Sequence, residues 1–148
     1  MQNSDDPEIL LVEDNPEDAE IAIRALRKYG LAERIAHVED GKLALDYLNG
    51  REDFSARDTS RKPKLILLDL KLPRVSGLET LKQLKSDPDT MPIPVVILTS
   101  STEERDITES YRLGANSYLV KQVDYDKFCE SIRLTARYWL GLNQLPYG

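Results

Sequence analysis

Five short apolar runs recur along the chain: Ile9-Leu10-Leu11-Val12, Ile35-Ala36-His37-Val38, Leu65-Ile66-Leu67-Leu68, Val95-Val96-Ile97-Leu98 and Tyr118-Leu119-Val120. Several are apolar at every position, the pattern of parallel strands covered on both faces. The segments between them carry helical spacing. Residues 16–29 place Ala19, Ile23 and Leu26 on one side and are closed by Gly30, with Pro16 suited to a first helical turn. Residues 42–48 follow Asp40-Gly41 with Leu45 and Leu48 on one face, and Leu78, Leu81 and Leu84 form a third stripe. Thr102 with Glu103, Glu104 and Arg105 opens a fourth helix that Gly114 ends. Asp124 begins a fifth, with Phe128, Ile132 and Trp139 along one side. Strand and helix alternate five times, which predicts an α/β fold with a doubly wound, five-stranded parallel sheet.

Residues 49–63 read as a charged loop, longer than most connections and expected to be mobile. No repeat or inter-domain linker interrupts the pattern, so one domain over 7–141 and a short C-terminal tail over 142–148 are expected. The composition of the 148 residues, 41% hydrophobic and 31% charged, is that of a globular chain. A formal charge of −6 argues against a sequence-independent grip on nucleic acid, which needs clustered Lys and Arg. No apolar run approaches the roughly 20 residues of a membrane-spanning helix. The start, Met1-Gln2-Asn3-Ser4-Asp5-Asp6-Pro7, is polar and acidic, unlike a secretion signal. A single cysteine, Cys129, excludes an intrachain disulfide and suits a reducing, cytoplasmic setting.

Open α/β sheets bind ligands outside the carboxyl ends of their strands. The residues found there are Glu13-Asp14 after the first strand, Asp69 after the third, Thr99 after the fourth and Lys121 after the fifth. If the first and third strands are neighbours, as in the flavodoxin-like order, three carboxylates crowd together. Crowded carboxylates repel and call for a cation. Oxygen-only, water-accessible ligands suit Mg²⁺, which also takes phosphate oxygens. A carboxylate can attack phosphorus to form an aspartyl phosphate. Lys121 and the metal would then balance charge on the phosphoryl oxygens, and the Thr99 hydroxyl would donate a hydrogen bond to another.

The residues Glu13-Asp14, Asp69-Leu70-Lys71-Leu72-Pro73-Arg74-Val75-Ser76-Gly77, Thr99-Ser100-Ser101 and Lys121 resemble the signature of two-component response-regulator receiver domains of the CheY-like kind. The separations of 30 residues from Asp69 to Thr99 and 22 from Thr99 to Lys121 match as well, with Tyr118 three before the lysine. The string from Leu11 to Glu20 and Tyr138-Trp139-Leu140 are similar to Rcp-type regulators of cyanobacterial phytochromes. The resemblance implies the strand order 2-1-3-4-5 and a phosphorylation switch with Asp69 as phosphoacceptor. It implies Mg²⁺ held by Glu13, Asp14, Asp69 and the Lys71 backbone carbonyl. The Lys71 side chain and Ser101 would tune access of hydrolytic water. Thr99 and Tyr118 would be the switch residues, and the face of the fourth helix, fifth strand and fifth helix the output surface. The partner implied is a sensor histidine kinase, and the narrower likeness points to a phytochrome. One position departs from the pattern: Gln122 stands where receivers usually carry a proline in a cis peptide. Either a non-proline cis bond is held there, at a cost of roughly 3–4 kcal/mol, or the peptide is trans and Lys121 is set differently.

Plainer roles compete at several positions. Glu13 and Asp14 could simply face the dipole of the first helix. Ser101 could be a helix-start residue, and Tyr118 a packed strand residue. His37 is expected to be structural, as it sits in an apolar strand without a partner motif, and Cys129 to pack in a helix. Tyr138, Trp139, Leu140, Leu142, Leu145 and Tyr147 are a large apolar surface for a short tail, favouring a homodimer over back-packing onto the same domain. Other aspartyl-phosphate or phosphate-binding folds fit poorly. A haloacid-dehalogenase-like phosphatase wants a second Asp where Lys71 stands. A flavin site wants a Ser-, Thr- or Gly-rich first loop instead of Glu13-Asp14-Asn15-Pro16, and no P-loop motif exists. A receiver-shaped interaction module that is never phosphorylated is the remaining alternative.

Overall fold

The computed structural model describes residues 7–30 and 34–147. The polar N-terminal stretch noted above lies outside them, apart from Pro7. Strands β1 (Ile9–Val12), β2 (Ile35–Val38), β3 (Leu65–Leu68), β4 (Val95–Thr99) and β5 (Ser117–Val120) form one parallel sheet in the order β2-β1-β3-β4-β5. The expected order therefore holds. Helices α1 (Pro16–Lys28), α2 (Gly41–Asn49), α3 (Gly77–Ser86) and α4 (Glu104–Arg112) provide the crossovers, and α5 (Tyr125–Ala136) follows the last strand.

Side chains alternate across a strand, so each strand feeds two separate cores. Ile9, Leu11, Leu65, Leu67, Val96 and Leu98 pack with Ala19, Ala22 and Leu26 of α1 and Phe128, Cys129 and Ile132 of α5. Leu10, Val12, Ile66, Leu68, Val95 and Ile97 pack on the other side with Ala44 and Leu48 of α2 and Leu81 and Leu84 of α3. The central strands β1 and β3 are buried throughout, while the edge strands β2 and β5 are only partly covered. Helix α4 is the exception in the second layer, since Ser110 is its only buried residue.

Helix ends follow the chemistry of their flanking residues. The Asn15 side chain accepts from the Glu17 and Asp18 amides and caps α1, so Glu13 and Asp14 are not needed for that task. Gly30 adopts φ +62° just past the end of α1, the left-handed turn anticipated there. Asp124 caps α5 as expected, its side chain accepting from the Lys127 amide. Helix α4 starts two residues later than Thr102, because the Ser101 hydroxyl accepts from the Glu103 amide.

Two segments differ from expectation. The 49–63 connection is organised by its own contacts: a 3-10 turn over Glu52–Phe54, the Phe54 ring edge-on to Tyr47, and Arg57 stacked 4.0 Å from the Tyr47 ring centroid. Arg57 also donates to the Tyr47 and Arg61 carbonyls. At the far end, α5 widens into a π-helix over Arg137–Leu142, marked by the Asn143 amide bonding to the Tyr138 carbonyl at 2.7 Å. This wider turn lets Trp139 and Leu140 pack against the α1–α5 core. Tyr147 folds back onto the opposite core and its hydroxyl donates to the Pro63 carbonyl at 2.8 Å. Back-packing thus claims part of the tail, and Tyr138 and Leu142 remain exposed.

Candidate functional site

The carboxyl ends of β1, β3 and β5 converge as the strand order requires. Asp69 follows β3 directly and is held by its amide bonding to the Val12 carbonyl of β1 at 3.1 Å. Glu13 follows β1, its amide bonding to the Val38 carbonyl of β2. One carboxylate oxygen from each of Glu13, Asp14 and Asp69 lies within 4.8 Å of the others. Glu13 and Asp69 are buried and Asp14 is exposed, so the cluster opens to solvent on the Asp14 side.

Lys121 points into this cluster from the end of β5. Its Nζ lies 2.8 Å from Glu13 Oε1, 3.0 Å from Asp69 Oδ2 and 2.8 Å from Asp18 Oδ2. Asp18, in the first turn of α1, was not singled out from the sequence. An acid at that position reads as a partner of the helix dipole, and nothing local links it to a lysine 103 residues away. The Lys121-Gln122 peptide is trans, as no cis peptide occurs among the described residues, and Lys121 still reaches Asp69. Its base is fixed by its amide bonding to the Thr99 carbonyl at 2.7 Å.

Burial of Glu13 pushes its carboxyl up to about 7, with the Lys121 hydrogen bond pulling down and the Asp69 charge adding to the rise. For Lys121, burial works against the ammonium, but hydrogen bonds to Asp18 and Glu13 and the charge of Asp69 outweigh it and raise its affinity for the proton. The ammonium is thus a fixed positive charge among carboxylates.

The loop after Asp69 is shaped by close backbone packing. A Cβ on Gly77 would lie 2.1 Å from the Asp69 carbonyl oxygen and 2.5 Å from Leu70 Cα, so only glycine fits beneath the site. Arg74, at φ +63°, reaches across to Asp40 with its Nε at 2.9 Å and ties this loop to the start of α2. Lys71 is exposed, and its amide lies 3.4 Å from Asp69 Oδ1.

Thr99 is fully buried at the end of β4, its hydroxyl 3.5 Å from the Ser101 amide. The Tyr118 hydroxyl donates to the Ser101 carbonyl at 3.0 Å, which seats the ring over the β4–α4 connection. Burial, opposed by that hydrogen bond, raises the Tyr118 phenol above its usual range. Ser101 donates to Asp106 Oδ2 at 2.6 Å and accepts from the Glu103 amide at 3.2 Å, which ties it to the start of α4. His37 Nε2 is 2.8 Å from the Glu13 carbonyl oxygen and supports the backbone beneath the cluster. Cys129 is buried in the α1–α5 core. A groove of about 680 Å³ lined by Pro16, Ala19, Ile23, Arg27 and His37 runs along α1 and contains none of the clustered carboxylates.

Comparison with known proteins agrees with this arrangement. Residues 9–133 match the family described as the response regulator receiver domain. The chain is 41% identical to the probable methanogenesis regulatory protein FilR2 of Methanothrix harundinacea, over 93% of this chain and 86% of that one. It is 35% identical to response regulator Rcp1 of Synechocystis sp., over 93% and 92% of the two chains. The Mn(2+)-bound form of Rcp1 superposes with a TM-score of 0.85 at 34% identity, covering 93% of this chain and 97% of that one. The phosphorylated cyanobacterial phytochrome response regulator RcpA superposes with a TM-score of 0.88 at 36% identity, covering 95% and 98%. A parallel 2-1-3-4-5 sheet with an acidic cluster and a lysine at its carboxyl edge, matched over nearly the whole chain, places this protein in the response regulator receiver family, the phosphoacceptor modules of two-component signalling.

Proposed function

We propose that Asp69 is the phosphoacceptor of this receiver and that it takes its phosphoryl group from a phosphohistidine of a sensor kinase with the help of Mg²⁺. The observation that carries this reading is the position of Asp69: at the end of a central strand, within 4.8 Å of two further carboxylates and 3.0 Å from Lys121 Nζ. An Asp69 carboxylate oxygen attacks phosphorus, an O–P bond forms, and the P–N bond breaks with its electron pair going to the imidazole. Lys121 donates to a phosphoryl oxygen, and the Thr99 hydroxyl, buried at the end of β4, donates to another. The Glu13, Asp14 and Asp69 carboxylates, all oxygen and net negative, fit a hard divalent cation, and the Lys71 backbone carbonyl would complete the set. When bound, Mg²⁺ supplies neutralising charge for the transferring oxygens. Water later cleaves the acyl phosphate, and the Lys71 and Ser101 side chains tune its access.

The phosphoryl group adds charge beside Thr99 and Lys121, and the Tyr118–Ser101 contact carries the change to the α4–β5–α5 face. We assign the receiver to residues 7–141. The tail over 142–148 and the exposed Leu134, Tyr138 and Leu142 of the last helix serve a homodimer contact. The likeness to Rcp1 and RcpA supports a phytochrome as the kinase, and the single cysteine and acidic composition support action in the cytoplasm.

The test is intact-mass analysis after incubation with Mg²⁺ and acetyl phosphate, beside an Asp69→Asn control. Gain of one phosphoryl group by the parent alone, lost on removing Mg²⁺, is the expected result. Phosphorylation of the Asp69→Asn variant would mean the acceptor is misassigned. No gain in either would favour an unphosphorylated interaction module.

A further inference from the structure

An ammonium has three N–H donors. Those of Lys121 have three carboxylate partners at 2.8, 2.8 and 3.0 Å: Glu13, Asp18 and Asp69. Two of these three also belong to the cluster suited to a cation, and Asp18 does not. Asp18 differs in its surroundings as well. Its side chain is 30% exposed, against 2% for Glu13 and 8% for Asp69, so its charge is the most easily solvated of the three.

Both ends of the Asp18–Lys121 contact are rigidly mounted. The Asp18 amide is bonded to the Asn15 cap of α1 at 3.1 Å, and the Lys121 amide to the Thr99 carbonyl of β4 at 2.7 Å. A cation in the cluster would compete with Lys121 for Glu13 and Asp69. Phosphorylation of Asp69 changes the second of those contacts again. The contact to Asp18 involves neither the carboxylate cluster nor the phosphoacceptor.

We infer that Asp18 is a positioning residue for phosphoryl transfer: it holds the Lys121 ammonium beside Asp69 and draws its charge away from Glu13 and Asp69, which leaves them able to take a divalent cation. This rests on the phosphoacceptor reading above. Without Asp18, Lys121 settles on the two remaining carboxylates, both of which the cation needs. The loss of a neighbouring negative charge acts in the same direction, so cation affinity falls. The lysine is also less well aimed at the phosphoryl group.

The experiment is a double-mutant cycle read by calorimetric titration with Mg²⁺, using the full chain as parent, Asp18→Asn, Lys121→Ala and the double variant. Asp18→Asn is expected to weaken Mg²⁺ binding by about five- to tenfold in the parent, but by less than about twofold when Lys121 is absent. At saturating Mg²⁺, phosphoryl uptake from acetyl phosphate by Asp18→Asn should slow by about tenfold, and Asp18→Glu should recover most of it. Equal weakening of Mg²⁺ binding in both backgrounds, or none in either, would overturn the inference, because Asp18 would then act by plain charge or not at all. If the parent itself gains no phosphoryl group, the phosphoacceptor reading fails, and the Mg²⁺ affinities still decide whether Asp18 acts through Lys121.

Discussion

With the acidic cluster as the proposed cation site, Glu13 is where protons and cations would compete. Its carboxyl titrates near 7 in the fold against 4.5 ordinarily, with burial as the main cause. The folded form therefore binds this proton more tightly than the unfolded chain. That contribution to stability is present below pH 4.5 and is lost as pH rises through about 7. A divalent cation reverses the sense, since it needs the ionised carboxylate. Mg²⁺ affinity should accordingly rise by about tenfold or more between pH 5.5 and 8 and flatten above 7, and Glu13→Gln should remove most of the slope. Calorimetric titrations at a series of pH values check this, and a flat profile in the parent would contradict it. At the same scale, Asp69, Asp14, Glu13, Thr99 and Lys121 were legible in the sequence because each directly follows an apolar run. Asp18 was not legible, because its partner is distant in the chain and its helix position already explains an acid.

The regular elements were readable from side-chain period alone, and the strand bounds differ from the apolar runs by a residue at most. Irregular elements were not. Nothing in the composition of residues 49–63 announces that Arg57 will stack on Tyr47 and bond two carbonyls, since such contacts depend on where α2 ends. Replacing Arg57 by Ala removes one cation–π contact and two charged hydrogen bonds from a partly exposed site. The expected cost is about 1–2 kcal/mol. Hydrogen exchange should accelerate over residues 51–63 and stay unchanged in β1 and β3. Acceleration spread through the sheet would mean the loop is integral to the core.

For the molecule as a whole, the two cores meet only through the sheet, and the carboxylate cluster sits at its carboxyl edge. Helix α4 contributes little to either core, Ser110 being its one buried residue. The exposed Leu134, Tyr138 and Leu142 lie on the neighbouring last helix. Sedimentation velocity with and without acetyl phosphate and Mg²⁺ should show a shift toward dimer on phosphorylation. A Leu134→Glu/Leu142→Glu variant should remain monomeric while its phosphoryl uptake is retained. Unaltered self-association of that variant would place the contact elsewhere.

The π-helical stretch over Arg137–Leu142 has a consequence for chain length. Such a stretch is equivalent to one residue added to an α-helix. Deleting Gly141, whose surroundings are open, would allow the segment to rewind as ordinary helix. Everything beyond would then keep its place, because the Asn143 amide would meet the same Tyr138 carbonyl as an ordinary helical bond. Tyr147 would still meet the Pro63 carbonyl, and the faces turned inward and outward at the end of the molecule would be retained. Loss of one position within this segment should therefore be absorbed locally, whereas the same loss within α5 would turn every later residue by about 100°.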